Sequence, residues 1–271
     1  MRGSNRCKGV KHTVSKLDDQ ACILHYDRRY AEMLAAALLD LDQKRLACFA
    51  ACCAERLMPW VNHFQTEAGL PTDRTVRDSL DQVWNWITSP RGLEQAFDTT
   101  YSNLEQLAPD TEKHTERSTS YCLNAVAAVA GAVAVCHGAG ADVAAESAHM
   151  VTDTIFLWTG RFGCADPETP AQLIRLSPQS NQLSLLGSNV VDRLVGLRAM
   201  AAHPRILREL SRQGADITAL TTQGGLEADF VRCLRERSAA ANVIPFPDDP
   251  IWHAMKEIEE QYNREQVPKR S

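Results

Sequence analysis

The most apolar run of the chain is Ala125-Val-Ala-Ala-Val-Ala-Gly-Ala-Val-Ala-Val-Cys136. It lies within a longer Ala-rich stretch at residues 120–137, and a second such stretch follows at residues 140–159 after a short loop around Gly138 and Gly140. Side chains this small allow two helix axes to approach closely. The sequence therefore predicts an antiparallel helical hairpin, made of these two stretches, at the centre of the fold.

Amphipathic helices are predicted on both sides of this hairpin, because apolar residues recur every three or four positions. One apolar face runs from Leu34 to Trp60, and its helix is expected to end near Gly69. The other predicted helices cover residues 73–87, 92–107, 167–176, 178–201, 204–213 and 226–239. The predicted fold class is all-α, a helical bundle of about eight to ten helices in one domain.

The two ends of the chain differ in character from the bundle. Before residue 18 the sequence has bases but no acid: Arg2, Arg6, Lys8, Lys11 and Lys16. Residues 1–17 are therefore predicted to form a basic flexible arm. Residues 18–247 are predicted to form the helical-bundle domain, which ends in an extended segment at residues 242–247. Asp249 and Pro250 are suited to begin a helix, so residues 248–271 are predicted to form a C-terminal amphipathic helix and tail.

The composition argues against nucleic acid and membrane as partners. A formal net charge of -5 does not favour binding to phosphate backbones or anionic lipid. The apolar run at residues 125–136 is shorter than the stretch of about 20 residues that a transmembrane helix needs. We therefore predict neither a nucleic-acid partner nor a membrane partner.

The cysteines indicate a reducing compartment. The chain has nine, an odd number, and five lie in apolar helical patterns, where a free Cys behaves as a small hydrophobic residue. These five are Cys48, Cys52, Cys53, Cys122 and Cys136. Because the basic N-terminus is also not followed by the apolar region of a secretory signal, we expect buried free thiols and a cytoplasmic protein.

Glu146 and His149 are the nearest approach to a metal motif, because a Glu and a His three residues apart share one helix face. No second Glu-x-x-His occurs, so His149 is expected to be satisfied by solvent or by Glu146. Cys52 and Cys53 lack zinc spacing, and a Cys nucleophile would need a nearby His base. We predict a protein that is not an enzyme and holds no cofactor or metal. A metal-dependent enzyme using Glu146 and His149 remains an alternative.

Acidic residues are dense along the helices predicted at residues 73–87 and 92–107. Such a face is usually only solvated, but it also attracts a basic partner. Trp84 and Trp86 point about 200° apart on a helix, so Trp84 is expected in the core and Trp86 nearer the surface. The predicted partner-binding residues combine these acids with the last helix: Trp86, Asp78, Asp81, Glu94, Asp98, Trp252, Glu257 and Glu260.

One segment resembles a known family: Arg45-Leu-Ala-Cys-Phe-Ala-Ala-Cys-Cys-Ala-Glu-Arg-Leu-Met-Pro-Trp60, followed by Phe64, Gly69 and Leu80-Asp-Gln-Val-Trp84. It looks like the opening of the YjaG-like proteins, a helical bacterial group known as domain of unknown function 416. Its core, Cys53-Ala-Glu-Arg-x-x-Pro59, is also similar to helical immunity proteins of bacterial polymorphic-toxin systems.

The resemblance continues through the Ala-rich hairpin and covers about residues 40–246 by the order and spacing of its elements. It implies an all-α fold, no established enzyme activity and no catalytic residues. Glu55 and Arg56, which lie in its motif, are interpreted as a structural pair beside the helix end at Pro59.

These observations support two hypotheses about function. The leading one is an immunity protein that binds a cognate toxin or effector with a basic surface and holds it inactive in a stoichiometric complex. The alternative is a regulatory or scaffold partner in bacterial signalling. Neither hypothesis specifies an oligomeric state.

Overall fold

The computed structural model describes residues 30, 32–89, 97–162, 203–241 and 243–244. Over these residues it contains eight helices and no strand, which confirms the predicted all-α class. The helices are α1 Gln43–Leu57, α2 Pro59–Glu67, α3 Thr75–Thr88, α4 Phe97–Leu107, α5 Thr119–Cys136, α6 Ala141–Phe162, α7 Pro204–Thr222 and α8 Ala228–Ala239. A short helical segment at residues 32–38 precedes α1.

Several of the predicted segments lie outside the described residues. They are the basic arm at residues 1–17, the helices at 167–176 and 178–201, and the C-terminal helix and tail at 248–271. The extended segment predicted at residues 242–247 is described only at residues 243–244.

Helix α1 lies at the centre of the bundle. It packs against α5 and α6 on one side and against α3, α7 and α8 on others, so every residue from Leu46 to Leu57 is buried. The prediction of one apolar stripe on this helix is therefore wrong in extent. A helix that is covered on all sides needs apolar residues all round, which explains the run of Ala and Cys between Leu46 and Leu57.

The helix predicted to run as far as Gly69 is divided into α1 and α2. Asp42 starts α1, where its side chain accepts a hydrogen bond from the backbone N–H of Arg45 at 3.0 Å. Pro59 has no N–H to donate to the preceding turn, and it stands as the first residue of α2. The chain therefore ends α1 at Leu57 and begins a new helix immediately.

The predicted Ala-rich hairpin is confirmed. Helices α5 and α6 pack on each other and both pack on α1, so the hairpin shares the centre of the bundle with α1. Their approach is close at Gly131, where an added Cβ would lie 2.4 Å from Ser147 Oγ. Ser147 Oγ in turn donates a hydrogen bond to the Ala128 carbonyl at 3.3 Å. A glycine at this position is what allows the two helices to meet.

Helix α5 is long and apolar enough to cross a membrane by length and composition, with a mean hydropathy of 1.6. Most of the helix is buried inside the bundle. Packing against α1, α4 and α6 accounts for much of its apolar character within the described residues.

Helix α7 is longer than the sequence predicted. Its predicted end was residue 213, but the helix continues past Gly214 to Thr222, because Asp216 and Leu220 beyond the glycine are buried in the bundle. One glycine inside a helix costs about 1 kcal/mol, which such contacts outweigh. The Arg45 guanidinium covers the end of α7: Nε donates to the Leu220 carbonyl at 3.0 Å.

The Gly131 contact yields a testable prediction. Gly131→Ala is expected not to stabilise the wild-type chain, because the new methyl meets Ser147 Oγ, but to stabilise a Ser147→Ala chain by up to about 1 kcal/mol through helix propensity. Urea unfolding of the four chains in this double-mutant cycle measures the coupling. Gly214→Ala is the control, since nothing lies within 4 Å of its added Cβ. Additive effects at residues 131 and 147 would contradict the close contact.

Candidate functional site

Glu55 and Arg56, the charged residues of the opening motif, are both buried in α1, with 4% and 3% of their surfaces exposed. The interpretation that they pair with each other is wrong. Consecutive residues on a helix point about 100° apart, and each of these side chains is paired with residues of other helices. The motif therefore places two separate charge clusters at the end of α1.

The Glu55 cluster joins α1 to α3 and α8. Arg77 donates two hydrogen bonds to the Glu55 carboxylate, from Nη1 at 2.6 Å and from Nη2 at 2.7 Å. Trp84 Nε1 donates to Glu55 Oε2 at 2.9 Å. Arg235 lies 3.7 Å from the same oxygen and also donates to Asp81. A two-pronged arginine contact of this kind is strong and directional, so it sets the position of α3 on α1.

The Arg56 cluster joins α1 to α7. Arg56 Nη1 donates to Glu209 Oε1 at 2.7 Å, and Nη2 donates to Asp216. Gln213, one turn from Glu209, donates to Glu209 Oε1 at 3.0 Å, and Arg237 of α8 donates to the second oxygen of Asp216. Since these side chains, apart from Arg237, are almost fully buried, the cluster compensates its charges inside the protein.

Burial and pairing act in opposite directions on these charges. Burial by itself lowers the pKa of the Arg56 guanidinium, but Glu209 and Asp216 outweigh it and raise the pKa above its ordinary value. Burial raises the pKa of the Glu209 carboxyl, although Arg56 opposes the shift. Arg56 is therefore held as a permanent cation. Glu209, with no exposed surface, has no access for a substrate, so this cluster is suited to positioning helices.

The thiols predicted to be buried are buried. Cys48, Cys52 and Cys53 have no exposed surface, and Cys122 and Cys136 have 3% each. Burial raises the pKa of the Cys122 and Cys136 thiols to about 12, and it also raises the pKa of Cys53. A nucleophilic cysteine needs the thiolate form, so these positions do not suit the Cys–His chemistry considered from the sequence.

The Glu146–His149 pair is not assembled as a metal site. Glu146 is exposed, and His149 Nδ1 lies 3.3 Å from Asp153 Oδ2, one turn further along α6. His149 therefore has a carboxylate partner in Asp153, where solvent or Glu146 was predicted. Among the residues that the structure describes, no group of three His, Cys, Asp or Glu side chains could hold a metal ion.

Of the predicted partner-binding residues, the structure describes the side chains of Trp86, Asp78 and Asp81. Trp86 was expected nearer the surface, but only 6% of it is exposed, and Lys44 of α1 lies over its ring at 5.7 Å. Helices α1 and α4 both pack against α3, the helix that carries Trp86. Asp78 is exposed beside Arg74, and Asp81 is bound by Arg77 and Arg235. The remaining side chains lie outside the described residues: Glu94, Asp98, Trp252, Glu257 and Glu260.

An open groove runs along the outer side of α5, between α4 and α6. Both flanking helices pack on α5, but the described parts of α4 and α6 scarcely touch each other. One cavity of about 370 Å³ lies against the small residues of α5 and against Val143 of α6. A second, of about 510 Å³, extends it towards His137 and Phe97. The two cavities meet at Tyr101 and Ala134. We call this surface the α4–α6 groove.

The walls of the α4–α6 groove are acidic. Helix α5 has no charged residue, α4 has only Asp98 and Glu105, and α6 has Asp142, Glu146 and Asp153 with a single base, Arg161, near its end. In contrast, the exposed bases of α3 and α8 include Arg74, Arg232 and Arg237. The sequence signal for the groove is the scarcity of Lys and Arg in three successive helices, where Arg161 is the one such residue. Apolar periodicity does not reveal such a scarcity, and the predicted partner surface rested instead on the acids along residues 73–87 and 92–107 and in the last helix.

The Arg56 cluster yields a stability prediction. Arg56→Met is expected to destabilise the protein by about 3–5 kcal/mol, because it leaves Glu209 and Asp216 buried without a cation. Arg232→Met is the matched control: this arginine is 65% exposed and pairs with Asp229 and Glu236 of its own helix, so its removal is expected to change stability by no more than about 0.5 kcal/mol. Urea unfolding measures both. Equal stabilities for the two variants would show that the cluster does not hold α7 against α1.

The comparisons with known proteins agree with the helical fold. A family model described as "Protein of unknown function (DUF416)" matches residues 34–159, which include α1 to α5 and most of α6 but neither α7 nor α8. No match was found among curated proteins. A crystal structure of a DUF416 family protein from Shewanella baltica OS155 is similar, with a TM-score of 0.57 and 15% identity, over 75% of this chain and 92% of that one. Residues 34–159, which contain the motif of α1 and the α4–α6 groove, thus match a family of unknown function and share its fold.

Proposed function

We propose that this protein is a non-enzymatic, stoichiometric binder of another protein, an immunity protein that neutralises a cognate bacterial toxin or secreted effector in the cytoplasm. The observation that carries the proposal is the α4–α6 groove, an apolar surface with acidic walls. A partner with a basic surface is complementary to it, because opposite potentials steer association and suppress wrong partners.

The groove has the composition of a protein-binding surface. Its floor is apolar and its charges stand at the edges, as in interfaces with an apolar core and a polar rim. Tyr101, 40% exposed, lies in both cavities, and tyrosine is among the residues that most often dominate binding energy. Contacts of this kind bind a partner without requiring a reaction.

The buried charges support the same proposal, because a binder gains affinity when its surface is rigid before the partner arrives. The Glu55 and Arg56 clusters hold α3, α7 and α8 on α1, and α1 carries the α5–α6 hairpin. The opening motif, whose resemblance to helical immunity proteins is an expectation from the sequence, lies in α1, the helix against which α5 and α6 pack.

Neutralisation is expected to be stoichiometric. The product of the adjacent open reading frame would be expressed with and without this chain, and host survival and co-elution of the two proteins would be scored. A purified mixture should lose toxin activity in proportion to the added chain up to one equivalent, and the toxin recovered from the complex should be chemically intact and active. Because the attraction is partly electrostatic, the association rate should fall as salt rises.

The outcomes separate the alternatives. Neutralisation by much less than one equivalent, with a chemically altered toxin, would show an enzyme and overturn the proposal. A harmless neighbour that does not bind would also overturn it and would favour a regulatory or scaffold partner in bacterial signalling.

A further inference from the structure

We infer that the α4–α6 groove receives a single amphipathic α-helix of the partner, with small apolar residues on one face and Lys or Arg on its flanks. The inference rests on the proposed function and specifies the part of the partner that binds. It follows from the register of the groove floor, from the size of its residues and from the charge of its walls.

The floor has the register of a helix-packing surface. Leu123, Ala127, Ala130 and Ala134 of α5 line the groove, and their spacings of four, three and four residues place them in one row along the helix. This row is about 16 Å long at 1.5 Å per residue. A partner helix of about three turns that lies along α5 would fill it.

The residues of the floor are also small enough for a helix to pack closely on α5. Ala127, Ala130 and Gly131 have little or no side chain, so the backbone of an occupant can approach α5 closely if its own residues are small, as at other small-residue helix contacts. On one wall Tyr101 and Leu104 of α4 reach the groove. On the other wall is Val143 of α6, and the helical period places Met150 on the same side of α6 as Val143.

Charge decides which helix fits. Glu105 lines the groove on the α4 side, and Glu146, exposed three residues after Val143, stands on the α6 side. Flanking Lys or Arg residues of an occupant would meet these acids as the flanking positions of a coiled coil do. Acidic segments are disfavoured by the same walls. The chain's own residues 248–271, which contain more acids than bases, are therefore poor occupants.

The test uses three synthetic peptides of about 18 residues, five helical turns, and the full chain. The first has Ala and Leu along one face and Lys on its flanks, the second has the same composition shuffled so that no apolar face exists, and the third carries Glu in place of Lys. Fluorescence anisotropy is expected to give the first peptide a Kd at least tenfold below the other two, about 1.4 kcal/mol.

Variants of the chain locate the site. Ala127→Arg/Ala134→Arg, which fills the floor, is expected to weaken binding of the Lys peptide at least tenfold, whereas the matched control Ala36→Arg/Ala215→Arg, at exposed helical positions, should leave it within twofold. Glu105→Lys/Glu146→Lys should make the Glu peptide the preferred one. This gain of binding cannot come from misfolding, and circular dichroism would confirm that each variant remains helical.

Three results would overturn the inference: equal binding of the shuffled peptide, equal effects of the groove and control substitutions, or no binding of any peptide to the full chain. These results are distinguishable from failure of the proposed function. A groove variant that still neutralises the adjacent toxin at one equivalent would remove the groove as the docking site and leave the immunity role standing.

Discussion

The fold depends on the pairing of a buried arginine with two buried carboxylates. Arg56 is buried near the end of α1, and removing its charge from water costs several kcal/mol. The cost is offset only if Glu209 and Asp216 stand within hydrogen-bond distance, and both belong to α7, more than 150 residues further along the chain. Arg56 therefore requires one particular placement of α7, and this requirement makes the packing specific.

The same requirement explains why α1 is covered on every side. Glu55 pairs with arginines of α3 and α8, and Arg56 pairs with a carboxylate of α7. Two neighbouring residues of α1 therefore bind three helices on two different sides. The small residues of α1 then leave room for the hairpin of α5 and α6. One face of α5 packs against α1. The opposite face of α5 therefore forms the floor of the α4–α6 groove.

The division of charge follows from this arrangement. One arginine of α3, one of α7 and two of α8 pair with the acids of the clusters. The pairs are Arg77 with Glu55, Arg212 with Glu209, Arg235 with Asp81 and Arg237 with Asp216. No acid of α4 to α6 is seen in those clusters within the described residues, and Glu105, Asp142 and Glu146 are exposed. An apolar surface with acids at its edges is left exposed in the described part of the chain, and this surface is complementary to the basic helix that we propose as its occupant.

The sequence by itself determined the helical class, the Ala-rich hairpin and the burial of the cysteines, because these follow from local periodicity and small side chains. Helices α3, α5, α6 and α8 lie within about three residues of their predicted bounds. The sequence did not determine the partners of Glu55 and Arg56, the burial of Trp86 or the groove. These depend on contacts between residues far apart in the chain. A charged residue in an apolar helix shows that a partner must exist, but only the tertiary structure decides which carboxylate reaches it and which helix faces are left open.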